Sequence, residues 1–144
     1  DRHNVPRLPE ARVLARLRAA GVDRRVVGHT PVGDVPAVLR RDGFTLVMAD
    51  NSYGRLEHGT RVEIDEHRIA WWGRCRLDDG SEIEASATVE DEVGEVGRVT
   101  AEGRLVKART PDGWLLFRAL AERRVEQVVV ADPGELSDVP HIIA

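Results

Sequence analysis

The second half of the sequence alternates apolar and polar residues with a period of two, and this pattern constrains the fold more than any other feature. The alternation includes Val62 and Ile64 and returns at Ile83 and Ala85. Successive side chains of a strand point to opposite faces, so the pattern predicts half-buried strands. The segments "DDG" and "PDG" between such runs predict hairpin turns. We therefore expect residues 60–144 to form an antiparallel β-rich accessory region, with a last strand in "RVEQVVVAD" and a tail in "PGELSDVPHIIA".

The first third of the sequence has a different pattern. "LPEARVLARLRAAG" predicts a helix, with Pro9 in the first helical position and an apolar stripe at Val13 and Leu17. "VDRRVVGHTP" predicts a short strand, "DVPAVLRRDGF" a short helical or turn segment, and "FTLVMADN" a second, buried strand. The predicted fold class is therefore α/β followed by antiparallel β, with an α/β part in residues 1–59 and the β-rich region in residues 60–144.

Composition argues against several classes of function. The 144 residues include 25 acidic and 21 basic side chains, for a formal net charge of −4. Without a basic excess to neutralise phosphates, we expect no general nucleic-acid binding. No apolar run approaches the ~20 residues of a membrane span, so we expect no membrane association. The lone cysteine, Cys75, excludes an intramolecular disulfide, favours a cytoplasmic setting and is expected to be a buried structural thiol.

Both apolar strands of the first third end in polar residues. The first ends at Gly28 and His29, and the second ends in "ADNSYG", residues 49–54. Ligands tend to bind at the carboxyl ends of strands in open α/β sheets, so the two ends are expected to face one cleft. Histidine is a common metal ligand or acid–base group, and an asparagine and a tyrosine can orient a phosphate or carboxylate. The alternative is that His29 only caps its strand and "DNSYG" is an ordinary polar turn.

The segment "VVGHTPVGDVPAVLRRDGFTLVMADNSYG" resembles the closing segment of calcineurin-like metallophosphoesterases related to serine/threonine protein phosphatases and diadenosine tetraphosphatases. The resemblance covers about residues 22–57. It implies the C-terminal part of a metallophosphoesterase sandwich, followed by a small β module. The implied activity is hydrolysis of a phosphate-ester substrate by water activated by two divalent ions, Mn, Fe or Zn. His29 would be a metal ligand, and Asn51 and Tyr53 would lie at the rim near the substrate phosphate.

The other ligands of that family come from Asp-x-His, Gly-Asp-x-x-Asp and Gly-Asn-His-Glu segments that precede this part of the fold. Asp1 and His3 have a similar spacing, but neither a strand nor a glycine precedes them, so we expect a solvated loop there. The chain thus supplies one ligand that the resemblance supports, His29. We expect the N-terminal half of the catalytic domain to be missing from this chain, as the start at Asp1 rather than Met also suggests, and the chain alone to be inactive.

A second hypothesis is a non-catalytic interaction module, in which the β region of residues 60–131 binds a partner. Trp71 and Trp72 are adjacent on a predicted strand and must face opposite sides, so at most one of them can stack a base or sugar on a given surface. Asp34 is expected to form a turn, with an approach to the metal site as the alternative. His58 and His67 are expected at the surface.

Overall fold

Eleven strands and one short helix make up the regular structure of residues 6–29, 32–50, 59–90, 94–121 and 124–140, the part of the chain that a computed structural model describes. The helix α1 covers Ala11–Ala19. The strands are β1 (Arg24–Val27), β2 (Ala37–Arg41), β3 (Phe44–Met48), β4 (Arg61–Ile64), β5 (Arg68–Arg76), β6 (Glu82–Glu90), β7 (Arg98–Thr100), β8 (Leu105–Thr110), β9 (Gly113–Ala119), β10 (Val125–Val130) and β11 (Leu136–Asp138).

The predicted helix is confirmed, but it is shorter than the segment "LPEARVLARLRAAG" for which it was predicted. Glu10 is the N-cap residue, so Pro9 precedes the helix and does not occupy its first position. The helix ends at Ala19, Gly21 follows it with φ 75°, and the Val22 N–H bonds back to the Leu17 carbonyl over 2.9 Å. This is the usual glycine-terminated helix end, in which a left-handed residue lets the chain turn away. No helix in the described part of the chain is long and apolar enough to cross a membrane.

The first three strands form a small sheet in the order β1-β3-β2, with β1 parallel and β2 antiparallel to β3. The prediction of a helical or turn segment in "DVPAVLRRDGF" is wrong, because residues 37–41 form β2. Asp42 and Gly43 have φ 49° and 73° and make the tight turn that leads into β3. Positive φ at both central residues is typical of a two-residue hairpin, which returns the chain antiparallel at once.

The predicted α/β fold class, as part of a calcineurin-like sandwich, is therefore wrong. The described structure is mostly antiparallel β, with one short helix and two sheets. Among the described strands only β1 and β3 pair in parallel, and the segment between them contains the strand β2 where an α/β unit would have a crossover helix. Residues 37–39 are buried throughout, so they lack the alternation that would have marked a strand.

The remaining eight described strands form one larger sheet in the order β10-β9-β8-β6-β5-β4, with β7 paired to both β8 and β11. The hairpins predicted at "DDG" and "PDG" join β5 to β6 and β8 to β9. The predicted last strand is β10, and part of the predicted tail forms the short strand β11. The antiparallel character predicted for this region is confirmed.

Hydrophobic residues pack on both faces of the small sheet. Val38 and Val47 are cross-strand neighbours in β2 and β3 and belong to a first cluster with Trp71 of β5. Leu39 and Leu46, the next pair along, belong to a second cluster. That second cluster also includes Leu14, Val99, Leu105 and Phe117. The predicted domain boundary between residues 59 and 60 stays a prediction, and both clusters contain residues from either side of it.

Candidate functional site

The parallel pairing of β1 and β3 brings two of the predicted site segments to one edge of the small sheet. Val27 lies opposite Met48, and the Ala49 N–H donates to the Val27 carbonyl over 2.9 Å. His29 lies two residues after Val27, and Asp50 lies two residues after Met48. Both strands therefore place polar residues at the same edge of the sheet. Asn51 and Tyr53 lie outside the described residues, and their predicted roles at the rim stay predictions.

His29 has a backbone conformation that is uncommon for a residue with a side chain. Its φ is 65°, in the left-handed region, and its side chain is exposed. The histidine thus turns the chain out of the strand after Gly28 and presents its imidazole to solvent. Asp50, half-buried, follows β3.

An imidazole nitrogen and a carboxylate oxygen are suitable ligands for Mn, Fe or Zn. In the described residues there is no group of three or more His, Cys, Asp or Glu side chains that could hold a metal ion. His29 and Asp50 could therefore provide part of the coordination of a metal ion. Two ligands of this kind would not hold an ion without further ligands.

A second Asp-x-His spacing, at Asp65 and His67, has a structural role in the turn between β4 and β5. The Asp65 Oδ1 accepts hydrogen bonds from the backbone N–H groups of His67 at 3.0 Å and Arg68 at 2.8 Å. The bond from His67 is the main cause that holds the pKa of Asp65 below its usual value. His67 is exposed as predicted, and His58 lies outside the described residues.

The two adjacent tryptophans face opposite sides of β5, as the sequence predicts. Trp71 is fully buried in the first cluster, whereas the side chain of Trp72 is 45% exposed. Cys75 is buried, also as predicted, and desolvation raises the pKa of its thiol to about 12. The tryptophan pair thus leaves one indole ring on an open surface of the larger sheet.

Sequence reasoning missed a buried lysine beneath the segment that follows His29. Lys107 is fully buried, and its Nζ donates hydrogen bonds to the carbonyl oxygens of Val32 and, over 2.6 Å, Val35. The same Nζ lies 4.7 Å from the centre of the Phe117 ring. Because burial disfavours the charged ammonium, the pKa of Lys107 falls to about 7.

A β-bulge gives Lys107 this position. In the β8–β9 pair, Val106 lies opposite Leu116 and Ala108 lies opposite Leu115, so Lys107 is an extra residue without a partner in β9. Bulges commonly redirect a side chain, and here the redirected side chain reaches residues 32–35. The sequence did offer a signal for this lysine, because it is the one charged residue in the otherwise apolar run "LVKA".

Asp34, predicted as a turn former or a site residue, lies inside the protein and is only 4% exposed. Its Oδ2 accepts hydrogen bonds from the Arg76 backbone N–H at 3.1 Å and from Gln127 Nε2 at 3.2 Å. Gln127 also donates to the Arg76 carbonyl over 2.8 Å. Asp34, Lys107 and Gln127, with their backbone partners, form what we call the anchor network, and it fixes residues 32–35, which begin three positions after His29.

Comparisons of the chain with protein-family models, with curated proteins and with solved structures found no match.

Proposed function

We propose that this chain contributes His29 to a metal-dependent phosphoesterase that hydrolyses phosphate esters. The observation that carries the proposal is the parallel register of β1 and β3, with Val27 opposite Met48, because it places His29 and Asp50 at one edge. The resemblance of the segment around His29 to metallophosphoesterases supports the same residue as a ligand. When bound, two divalent ions such as Mn, Fe or Zn would stabilise charge on the phosphoryl oxygens and activate water.

The residues of this chain would have distinct tasks at that edge. His29 would offer a ring nitrogen from an exposed position that its left-handed backbone maintains. Asn51 and Tyr53 would hydrogen-bond the substrate phosphate from the rim. The anchor network would hold residues 32–35 still and so limit the movement of His29. The remaining ligands would come from a catalytic half that this sequence does not include, and we place the assembled enzyme in the cytoplasm.

Binding of Mn²⁺ to the chain tests the role of His29. Paramagnetic Mn²⁺ broadens the NMR signals of nearby protons, so substoichiometric Mn²⁺ should broaden the imidazole signals of His29 before those of exposed His67. In a Zn²⁺ titration, His29→Ala should weaken binding by at least about tenfold, whereas the control His67→Ala should leave it unchanged. Equal broadening of both histidines, or unchanged affinity in His29→Ala, would show that His29 is not a ligand.

A phosphomonoesterase assay with p-nitrophenyl phosphate and Mn²⁺ tests the expected incompleteness of the site. We expect no turnover by this chain alone. Metal-dependent turnover that disappears in His29→Ala would show that the chain builds a complete site and would overturn the proposal that other ligands are missing.

A further inference from the structure

A row of side chains crosses the open face of the larger sheet. Trp72 lies opposite Ser86, Ser86 lies opposite Arg109, and Arg109 lies opposite Trp114. Residues directly opposite each other in antiparallel strands project from the same face, so these four side chains form one line across β5, β6, β8 and β9. Trp71 points to the buried face, so Trp72, Ser86 and Arg109 lie on the other side of the sheet, and Trp114 at the end of the row packs partly against the first cluster.

A cavity of about 520 Å³ lies beside the exposed indole of Trp72. Sites for small molecules typically have volumes of about 300–1,000 Å³. The side chains that line the cavity and matter here are those of Trp72, Arg74, Glu84, Ser86 and Arg109. The cavity therefore combines a flat aromatic wall with polar and charged groups, and it is large enough for a ligand of modest size.

Two guanidinium groups give this cavity an excess of positive charge. Arg74 follows Trp72 by two residues on the same face, and Arg109 lies two strands away, a separation of about 10 Å. In the described part of the chain neither Arg74 nor Arg109 forms an ion pair, whereas Arg76 pairs with Glu82 at 2.8 Å. Among the residues that the structure describes, the charged side chains in the cavity wall are these two arginines and Glu84, which together carry a charge of +1 (two positive, one negative).

Arg109 is also held in place by an aromatic neighbour. Its guanidinium carbon lies 4.4 Å from the centre of the Trp114 ring, a cation–π contact. This contact orders the guanidinium without neutralising it. A side chain that is positioned in advance loses less entropy when it binds an anion.

We propose that this cavity binds a nucleoside phosphate, with the base stacked on Trp72 and the phosphate between Arg74 and Arg109. Stacking on an aromatic side chain is favourable for every base, and arginine forms strong, paired hydrogen bonds with phosphate. Two arginines match one short anionic group, and the chain as a whole is acidic, which favours a small ligand over a nucleic-acid strand. The proposal is independent of His29 and of the proposed phosphoesterase function.

Calorimetric titration of the chain with AMP, adenosine and inorganic phosphate tests the proposal. AMP should bind with a submillimolar Kd, and adenosine and phosphate should each bind at least about tenfold more weakly, because each lacks one half of the recognised group. Affinity for adenosine equal to that for AMP would overturn the role of the arginines. Phosphate binding as tight as AMP binding would overturn the role of Trp72.

Variants locate the site. Trp72→Ala and Arg109→Ala should each weaken AMP binding by about tenfold or more, and Arg12→Ala on the exposed surface of α1 serves as the matched control. His29→Ala should leave AMP affinity unchanged, which separates this cavity from the proposed metal site. Unchanged AMP affinity in both Trp72→Ala and Arg109→Ala would reject the cavity as the site.

Glu84→Gln provides a test that misfolding cannot imitate. Removal of the Glu84 carboxylate from the wall should strengthen AMP binding by about threefold, since it removes repulsion of the phosphate. Weaker or unchanged binding would contradict the proposed position of the phosphate. Tight binding of a short single-stranded oligonucleotide with no binding of AMP would replace the proposal with a nucleic-acid surface.

Discussion

Gln127 donates a hydrogen bond from its Nε2 to the Oδ2 of Asp34 over 3.2 Å, although the two residues are 93 positions apart in the chain. The same amide nitrogen donates to the Arg76 carbonyl, and the amide oxygen accepts a longer bond of 3.4 Å from the Asp34 backbone N–H. One side chain of β10 therefore joins the end of β5 to the segment after His29. The Gln127 amide therefore attaches residues 32–35, which follow the predicted site at His29, to the larger sheet.

Gln127→Leu should reduce the free energy of unfolding by about 1–3 kcal/mol, because a buried carboxylate loses a donor and the Arg76 carbonyl loses a partner. Urea denaturation measures this loss. A double-mutant cycle with Asp34→Ala is the control, and we expect a coupling energy of at least about 0.5 kcal/mol between the two sites. If the losses of stability in Gln127→Leu and Asp34→Ala simply add in the double variant, the hydrogen bond between these two side chains does not stabilise the protein.

Lys107 should make the stability depend on pH just above neutrality. Its pKa is about 7 in the folded protein, against 10.5 as the ordinary value, so between these values the unfolded chain binds more protons than the folded one. The contribution of Lys107 to the free energy of unfolding should therefore rise with pH from about 7 towards 10.5, by at most about 1.4 kcal/mol per pH unit.

Urea denaturation of the parent chain and of Lys107→Met between pH 7 and 8.5 checks this dependence. The difference in stability between the two proteins should grow in favour of the parent as the pH rises, since other titrating groups cancel in the comparison. Lys107→Met should also be less stable at pH 8.5, by about 2 kcal/mol, because the buried carbonyl groups of Val32 and Val35 lose their donor. A difference that stays constant with pH would mean that Lys107 keeps an ordinary pKa.

Cys75 should be unreactive in the folded protein. Burial raises the pKa of its thiol from 9.0 to about 12, so almost no thiolate exists at pH 8 and reagents cannot reach the sulfur. Alkylation by iodoacetamide, followed by mass spectrometry, should be at least about 100-fold slower in buffer than in denaturing urea. Similar rates in the two conditions would contradict the buried position.

The thiol also affects stability in alkali. Above pH 9 the unfolded chain loses the Cys75 proton while the folded protein keeps it until about pH 12, so the folded protein binds more protons. The contribution of this thiol to the free energy of unfolding should therefore fall as the pH rises through this window. Between pH 9 and 10.5 the parent protein should lose stability relative to Cys75→Ala, and a stability difference that stays constant over this range would exclude this effect of the thiol.

Gly113 should tolerate a side chain less well than Gly80, although both have positive φ, 141° and 86°. A Cβ at Gly113 would overlap the Val130 carbonyl oxygen and would lie 2.8 Å from its carbon, whereas nothing lies within 4 Å of a Cβ at Gly80. We expect Gly80→Ala to cost about 1 kcal/mol and Gly113→Ala at least about 2 kcal/mol more. If thermal unfolding shows equal losses of stability in Gly80→Ala and Gly113→Ala, then β10 can shift away from β9 at little cost.

Much of the larger sheet could be predicted from the sequence because its signals are local. Alternation reports the half-buried face of a strand within a few residues, and "PDG" favours a tight turn by its own backbone preferences. The strand β2 could not be predicted in the same way. Residues 37–39 are buried between the two clusters and show no alternation, and their pairing with β3 decides their conformation.

The candidate site was predictable only in part. The placement of His29 and Asp50 at one sheet edge follows from two strand ends, which the sequence suggested, and from the parallel pairing of β1 and β3, which the structure shows. The position of Lys107 depends on a bulge in β8, and its carbonyl partners are 72 and 75 residues away. Contacts over such separations depend on how the sheets are stacked, which single-residue patterns do not report.

The anchor network also has a consequence for the order of folding. Its hydrogen bonds link residues near position 34 with residues 107 and 127, so they close large loops, and loop closure slows the formation of distant contacts. The hairpins β5–β6 and β8–β9 involve neighbouring residues and can form early. Refolding followed by pulsed hydrogen exchange should therefore show protection in these hairpins first, and the histidine-bearing end of the small sheet should be among the last regions to reach its native conformation.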